Sequence, residues 1–243
     1  MNGHYLEIQV RTRVVGPIIA FREYIFRDVL PAFGHLQERA DQVAEEYYNL
    51  IGSVPAGEDC DIDMASVADA AQDRSLSWYE MMTSLRQTMR NLLAAGLFHL
   101  TEQQLATLCR DAGFTMGPPR DSGLSAVKQW YSQHLRLEFE SLPSWTMIHE
   151  LRLLANTVKH GEGRSAEELK TLRPQLFSNP DYEEIYKEFR EHGMEPCIGP
   201  VAAPLAGEDL FVSDVLLQKY AECAESFFCE IAAHFKAHGN EHY

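Results

Sequence analysis

The stretch WTMIHELRLLANTVKHG, residues 145–161, carries the clearest structural signal in the chain. Its apolar residues recur at three- and four-residue spacing, which is the period of one face of an α-helix. Pro143 precedes the stretch and Gly161 closes it, so the pattern predicts a helix from Trp145 to His160 with Ser144 as its N-cap. At about 100° per residue, six residues form the predicted core face: Met147, Ile148, Leu151, Leu154, Ala155 and Val158.

The opposite face of this predicted helix is basic and carries no carboxylate. It holds Arg152, Lys159 and Asn156 together with two histidines, His149 and His160. Acidic residues outnumber basic ones by 36 to 21 in the whole chain, so an average exposed face would be acidic or mixed. The pattern therefore favours a site for an anion such as phosphate. The alternative is that the cations are solvated or paired elsewhere, and that Asn156 and His160 only complete the helix end.

The composition is that of an ordinary folded protein, with 45% hydrophobic and 23% charged residues among 243. We predict a single domain over residues 1–243. The net charge of −15 repels nucleic acid at long range, so a role with nucleic acid has to be local. The five cysteines are scattered and are expected to be reduced. No signal-peptide pattern or long apolar run occurs, which predicts a cytoplasmic protein without a membrane partner.

The rest of the chain predicts a mainly α fold, a helical bundle of about seven to nine helices. Residues 5–15 alternate loosely and are rich in β-branched side chains, which predicts an N-terminal strand. A second strand near 210–213 would pair with it as a small β element. We expect the N-terminal strand and the irregular segment 193–213 to be appendages of the helical body.

Three helices are predicted between residues 64 and 112: a short one over 64–74, a long one from Trp78, and a third over 102–112 that starts from a capping box at Thr101. The apolar stripe of the long helix is expected to be core: Trp78, Met81, Met82, Leu85, Met89, Leu92 and Leu93. Pro31 and Gly34 predict a kink or a break in the preceding helical region, which gives one bent helix or two helices. A second capping box begins at Ser165, and residues 214–237 predict a long final helix.

Residues 150–161, ELRLLANTVKHG, resemble the motif helix of HEPN domains, which are helical-bundle proteins. The signature of that family is an arginine followed within a few residues by a histidine, commonly with a polar residue such as asparagine after the arginine. Asn156 and His160 match the polar and histidine positions. Ala155 stands at the arginine position, and Arg152 lies three residues earlier on the same helical face.

The resemblance implies a metal-independent endoribonuclease or an RNA-binding component of toxin–antitoxin or phage-defence systems. His160 would act as general acid or base, Arg152 would stabilise the phosphorane charge and Asn156 would orient the phosphate. Lys159 and His149 would bind RNA. The implied partners are a second copy, with two such helices across one cleft, and an antitoxin-type protein; no cofactor or metal is implied. Because the arginine is displaced, a non-catalytic helical interaction or scaffolding module stays open as the alternative.

Overall fold

A computed structural model describes residues 3–53, 63–111, 123–193, 199–202 and 209–238. These residues are mainly helical, which confirms the predicted fold class. The described ranges contain nine α-helical segments: α1 (Gly3–Gln9), α2 (Val15–Tyr24), α3 (Leu36–Gly52), α4 (Met64–Asp111), α5 (Leu124–Leu135), α6 (Trp145–His160), α7 (Arg164–Leu172), α8 (Glu183–Glu191) and α9 (Asp214–Ala237). Across these ranges, no helix combines the length and the apolar character that crossing a bilayer requires.

The N-terminal segment is helical, so the predicted strand over residues 5–15 is wrong. Helix α1 continues through a π-helical turn, Val10–Val14, directly into α2. The buried apolar residues of this stretch lie four apart, each at most 2% exposed: Leu6, Val10, Val14 and Ile18. Tyr5 and Ile8, which also belong to the alternating pattern, are exposed. The helical spacing of the buried residues outweighed the strand preference of the β-branched ones, because tertiary burial overrides local propensity.

The predicted second strand near 210–213 is also absent, so no β element forms in the described part of the chain. Side chains of α4 bind this extended backbone in place of a neighbouring strand. Asn91 Nδ2 donates to the Leu210 carbonyl at 2.9 Å, and Gln87 Nε2 donates to the Val212 carbonyl at 3.1 Å. Leu210 and Val212 are buried in the core, so this part of segment 193–213 is not an appendage.

Helix α4 is one continuous helix of 48 residues, about 72 Å long, where the sequence predicted three helices. The predicted capping residue Thr101 lies inside this helix, where its hydroxyl donates to the Leu97 carbonyl at 2.9 Å. The predicted end at residue 112 lies outside the described residues. The stripe expected to be core is partly wrong as well, since Met81, Leu85 and Leu92 are 59%, 44% and 38% exposed.

Two packed regions share α4. Its C-terminal half contributes to a large apolar core with α1, α2, α5, α6 and α9. Its N-terminal part packs along α3, and Leu36 and Ala40 of α3 and Val67 and Ala71 of α4 are buried. The Ser75 hydroxyl donates to the Ala40 carbonyl at 2.7 Å and fixes this pairing. Helix α3 and the start of α4 therefore form a two-helix arm beside the main core.

Helix boundaries follow several of the predicted signals. The predicted break at Pro31 and Gly34 is confirmed by a 3-10 turn between α2 and α3. Helix α9 has the predicted bounds, and its N-cap Ser213 accepts a hydrogen bond from the Leu216 N–H. The predicted cap Ser144 instead donates its hydroxyl to Glu230 at 2.6 Å, because that carboxylate of α9 faces the start of α6.

The second predicted capping box is wrong too, since α7 begins at Arg164 and Ser165 lies inside it, with Gly163 at the N-cap position. Gly163, with φ 156° and ψ −172°, is the residue before the first turn of α7, so the helix begins before Ser165.

Of the five cysteines, Cys109, Cys223 and Cys229 are free thiols, while Cys60 and Cys197 lie outside the described residues. Burial raises the pKa of the Cys109 thiol to about 12, so this cysteine stays protonated.

A buried carboxylate joins α6 to α7 and α9. Glu150 is 7% exposed, and both of its oxygens accept from the Arg173 guanidinium, at 3.0 and 2.9 Å. The Tyr220 hydroxyl donates to the same carboxylate at 2.6 Å, and burial raises the pKa of Tyr220 far above its usual value. Glu150 thus pairs with neither Arg152 nor Lys159 of its own helix, since it points to the side of α6 that faces α9.

We predict that Glu150→Gln lowers the free energy of unfolding by about 2 kcal/mol or more, because it leaves the Arg173 guanidinium partly buried without its counter-ion. Urea denaturation followed by circular dichroism measures the change. The matched control is Glu183→Gln, which breaks an exposed ion pair with Arg190 and should cost less than about 1 kcal/mol. Equal losses in the two variants would contradict a structural role for the Glu150 carboxylate.

Candidate anion-binding site on helix α6

Helix α6 begins and ends where the sequence predicts. Gly161 follows it with a positive φ of 73°, and its N–H donates to the Thr157 carbonyl at 2.8 Å. The predicted core face is confirmed: five of its residues are buried and Met147 packs partly buried against the core. The basic residues consequently lie on the side that faces away from α4 and α9.

His149 and Arg152 form the centre of this side. The Arg152 Nη2 atom lies 3.4 Å from His149 Nδ1, and His149 Nε2 lies 3.0 Å from a carboxylate oxygen of Glu168. A guanidinium only donates hydrogen bonds, so His149 Nδ1 is the acceptor and Nε2 carries the proton that it donates to Glu168. In this arrangement the imidazole lies between a cation and an anion.

Glu168 comes from α7, which packs against α6. The α6 face itself lacks acidic residues, as the sequence indicates, but the neighbouring helix supplies one. The hydrogen bond from His149 holds the pKa of Glu168 below its usual value. Glu168 therefore stays ionised at neutral pH and orients the imidazole.

A pocket of about 460 Å³ opens beside these residues between α5 and α6. Its lining combines apolar and ionic side chains: Leu124, Ser125, Lys128, Glu140, Trp145, Thr146, His149 and Arg152. The Lys128 ammonium lies over the Trp145 ring, 4.7 Å from its centre, and pairs with the Glu140 carboxylate. This hydrogen bond from Lys128 lowers the pKa of Glu140. The pocket thus has a cationic wall and an indole wall.

Arg152 differs from Lys128 in having no carboxylate partner. Its only hydrogen bond within the described ranges is the long one to His149, and no acidic oxygen lies within ion-pairing distance. A guanidinium carries five N–H donors in a planar fork that matches the oxygens of a phosphate. Most donors of Arg152, which is half-buried at the pocket wall, are therefore available to an anion.

The remaining predicted residues lie further along α6. Asn156 Nδ2 donates to the Ser165 hydroxyl at 3.4 Å, while Lys159 and His160 are exposed at the helix end and contact no other described polar side chain. His160 lies eight positions after Arg152, about 12 Å further along the helix axis. Arg152 also lies against the preceding turn. Within one chain, the structure brings Arg152 to His149 and leaves His160 apart.

Three residues of the site were not identified from the sequence: Lys128, Glu140 and Glu168. Lys128 lies on a different predicted helix, and nothing in its local sequence relates it to α6. Glu168 belongs to the predicted capping box at Ser165, which gave its carboxylate a purely local role. Only the packing of α7 on α6, and of α5 and α6 on α4, places these side chains together.

No protein-family model matches the chain, and neither a curated protein nor a solved structure matches it. Within the described ranges, no three His, Cys, Asp or Glu side chains are grouped closely enough to hold a metal ion. The function therefore has to be argued from the chemistry of the α6 site itself.

We predict that His149→Ala raises the pKa of Glu168 toward the usual value of about 4.3, because the hydrogen bond from the imidazole is its main stabilising contact. Carboxyl-detected NMR titration measures the pKa of Glu168 and the pKa of Glu140. The matched variant is Lys128→Met, which should instead raise the pKa of Glu140. If Glu168 titrates identically with and without His149, the pairing of these two residues is not present in solution.

Proposed function

We propose that this chain is a HEPN-like RNA-binding protein that holds a phosphate of single-stranded RNA in the α6 pocket. The observation that carries the proposal is the Arg152 guanidinium, which lines the pocket without a carboxylate partner among the described residues. Arginine is the side chain best suited to bind a phosphate through two parallel hydrogen bonds. A partly buried position strengthens that interaction relative to the same contact in open solvent.

The other residues around the pocket suit the same ligand. Lys128 adds a second cation, and a phosphate that approached Arg152 would also attract its ammonium from Glu140. The pocket volume of about 460 Å³ lies within the range of ligand sites, about 300–1,000 Å³. Lys128 covers the Trp145 ring, and its movement to the phosphate would open that aromatic face for stacking of an unpaired base. Phosphate, sugar and base could thus be bound by different walls of one pocket.

Lys159 and His160 extend this surface toward the end of α6. Both are exposed, and they lie about 12 Å beyond the Arg152 turn, where a strand leaving the pocket could pass. Because the whole chain carries a charge of −15, affinity has to come from these few local contacts. Two neutralised phosphates on a single strand give a slope of log K against log salt of about −1.4. A much steeper slope would require a larger basic surface.

We predict that Arg152→Ala weakens binding of a fluorescent single-stranded oligoribonucleotide by about 10- to 100-fold, since a charge-assisted hydrogen bond is lost. Fluorescence anisotropy at fixed salt measures the affinity. The control is Arg190→Ala, which removes the same charge from an exposed ion pair on α8. Equal weakening in both variants means that binding depends on net charge and not on the pocket, and undetectable binding by the wild type rejects the proposal.

The catalytic form of the proposal is a metal-independent endoribonuclease of a toxin or phage-defence system, with Arg152, Asn156 and His160 as its site. It is the weaker form, because cleavage by this set needs Arg152 and His160 at one phosphodiester and they lie about 12 Å apart along α6. A composite cleft in a homodimer would bring one chain's Arg152 to the second chain's His160. An antitoxin-type partner and a cytoplasmic location belong to this form of the proposal.

Cleavage of total RNA in the presence of a metal chelator, by the wild type and by His160→Ala, tests the catalytic form. The catalytic form requires that the wild type cleaves and that the variant loses at least about 100-fold of the rate, as for removal of a general acid or base. Equal, background-level activity of the two proteins leaves RNA binding without catalysis. The anisotropy experiment then decides binding independently of cleavage.

A second candidate function is a non-catalytic helical interaction module. The observation that favours it is the set of large apolar side chains exposed on α4, which a protein acting alone does not require. The two candidates differ in the RNA assay, because an interaction module would show no loss of RNA affinity that is specific to Arg152→Ala.

A further inference from the structure

The two-helix arm carries a groove of about 450 Å³ that is open among the described residues. Both helices line it equally, with Val43, Glu46, Tyr47 and Leu50 from α3 and Arg74, Ser77, Trp78 and Met81 from α4. We call this the arm groove. Leu50 and Met81 on its walls are 65% and 59% exposed. Monomeric proteins seldom group large exposed apolar side chains in this way, so the arm groove is a candidate contact surface.

The shape of the arm groove suits a helix. Along each wall the lining residues have the same spacing, since the second, third and fourth lie three, four and seven positions after the first. This is the repeat of one helical face, and each row spans about 10 Å of its helix. Two such rows side by side form ridges between which the side chains of a third helix interdigitate. The ligand that fits is therefore the apolar face of an amphipathic helix.

The side chains at the centre of the arm groove are typical of protein interfaces. Tyr47 and Trp78 are half-buried, one on each wall, and the Arg74 guanidinium lies 5.3 Å from the centre of the Tyr47 ring. Tyrosine, tryptophan and arginine are the residue types most enriched among those that contribute strongly to protein binding. Met81 adds a flexible side chain that adapts to the shape of an apolar partner. The composition of the groove thus favours a protein ligand.

The charge of the arm selects a basic ligand. Residues 36–52 and 63–81 contain eight carboxylates, two arginines and no lysine, which gives a net charge of −6. This is about two fifths of the net charge of −15, carried by about one seventh of the chain. Within the described ranges, Glu38 with His35 is the only ion pair that these carboxylates form. The others are available to cations of another molecule.

Three of these carboxylates belong to the surroundings of the arm groove. Glu46 lines it, while Asp73 and Glu80 are each next in sequence to a lining residue of α4. All three are exposed, and they outnumber Arg74, the only cation of the lining. Lysine or arginine beside the apolar face of an incoming helix would meet a complementary potential here.

A second copy of this chain does not supply such a ligand. Its arm repeats the same acidic charge. Its α8 exposes the apolar residues Ile185 and Phe189, but that helix contains four glutamates against one lysine and one arginine. The arm also repels RNA and anionic membranes. The ligand is therefore a different protein.

We propose that the arm groove binds a basic amphipathic helix of a partner protein. The apolar face of that helix lies between α3 and α4, and its lysine or arginine residues pair with the carboxylates of the arm. This proposal does not rest on the proposed RNA function, because the arm groove and the α6 pocket share no lining residue. It gives the second candidate function a partner of defined chemistry.

The proposal is tested with the full-length chain and a fluorescent synthetic helix of about 18 residues, with leucine on one face and lysine on the other. We expect fluorescence anisotropy to give a Kd below about 100 μM. One matched peptide has glutamate in place of lysine, and another has the same composition with leucine spread around the helix. Both should bind at least about 10-fold more weakly, because each lacks the charge or the apolar face.

The proposal is overturned if the leucine–lysine helix does not bind at up to about 500 μM, or if either matched peptide binds as tightly.

Variants of the chain separate the arm groove from general attraction to an acidic protein. Met81→Asp should weaken binding of the leucine–lysine helix by at least about 10-fold, since it places a charge on the apolar wall. Attraction by charge alone would be kept or strengthened in this more acidic variant, and that result overturns the proposal. The control is Val215→Asp, which makes the same change in type at an exposed apolar residue of α9 and should change the affinity less than about 2-fold.

The acidic contribution is tested by Glu46→Lys, which should weaken binding by about 5-fold or more. Its control is Glu191→Lys, the same charge change at an exposed residue of α8. Equal weakening by these two variants overturns the pairing with the arm. Circular dichroism checks that every variant keeps the helical content of the wild type.

The position of the bound helix is mapped with a benzophenone on its leucine face and mass spectrometry of the cross-linked chain. Cross-links at residues 43–50 or 74–81 support the proposal, and cross-links confined to other residues overturn it. Met81→Asp should bind the RNA probe as the wild type does. Loss of RNA binding and loss of helix binding are therefore independent results, and failure of either proposal leaves the other standing.

Discussion

Burial of one side of α6 determines where the basic residues on its other side lie. Leu151, Leu154 and Ala155 are fully buried against neighbouring helices, so the rotation of α6 about its axis is set by the hydrophobic effect. The Glu150 carboxylate strengthens this constraint, because Arg173 and Tyr220 bind it from two other elements. The fixed rotation of α6 sets the side of the helix on which Arg152 lies, which is the side of the pocket.

The electrostatics of the site depend on which neighbour reaches α6. Helix α7 brings Glu168 to His149, and α5 brings Lys128 close to Trp145 and Glu140. Of the basic face that the sequence indicates, only His149 acquires an acidic partner, and Arg152 lines the pocket without one in the described part of the chain. The pocket is thus a place where one anion would be bound by specific contacts, while the acidic remainder of the molecule repels others.

The length of α4 has a different consequence. A helix of about 72 Å is longer than the core it crosses, so part of it packs only on the α3 arm and, among the described residues, no element covers the outer side of another part. Apolar residues on that outer side keep the helical period without burial in the chain. The same periodicity therefore describes core positions at one end of the helix and a surface stripe in the middle.

Helix boundaries and the core face of α6 could be predicted from the sequence, because both follow from the local period of apolar residues and from Pro143 and Gly161. The same reasoning failed for residues 5–15, where a strand-like alternation and a four-residue helical spacing coexist and only burial of Leu6 and Val10 selects the helix. It also failed for α4, where periodicity reveals that a face is apolar but not whether another element covers it.

For the candidate site, Arg152, Asn156, Lys159 and the two histidines share a face by helical geometry alone, and this was determined by the sequence. Which of them act together was decided by tertiary structure. Glu168 and Lys128 lie 19 and 21 positions from His149 along the chain, and their contacts depend on how α7 and α5 pack. Local sequence specifies the direction of a side chain from its own helix, whereas the partner that it meets depends on long-range packing of the apolar core.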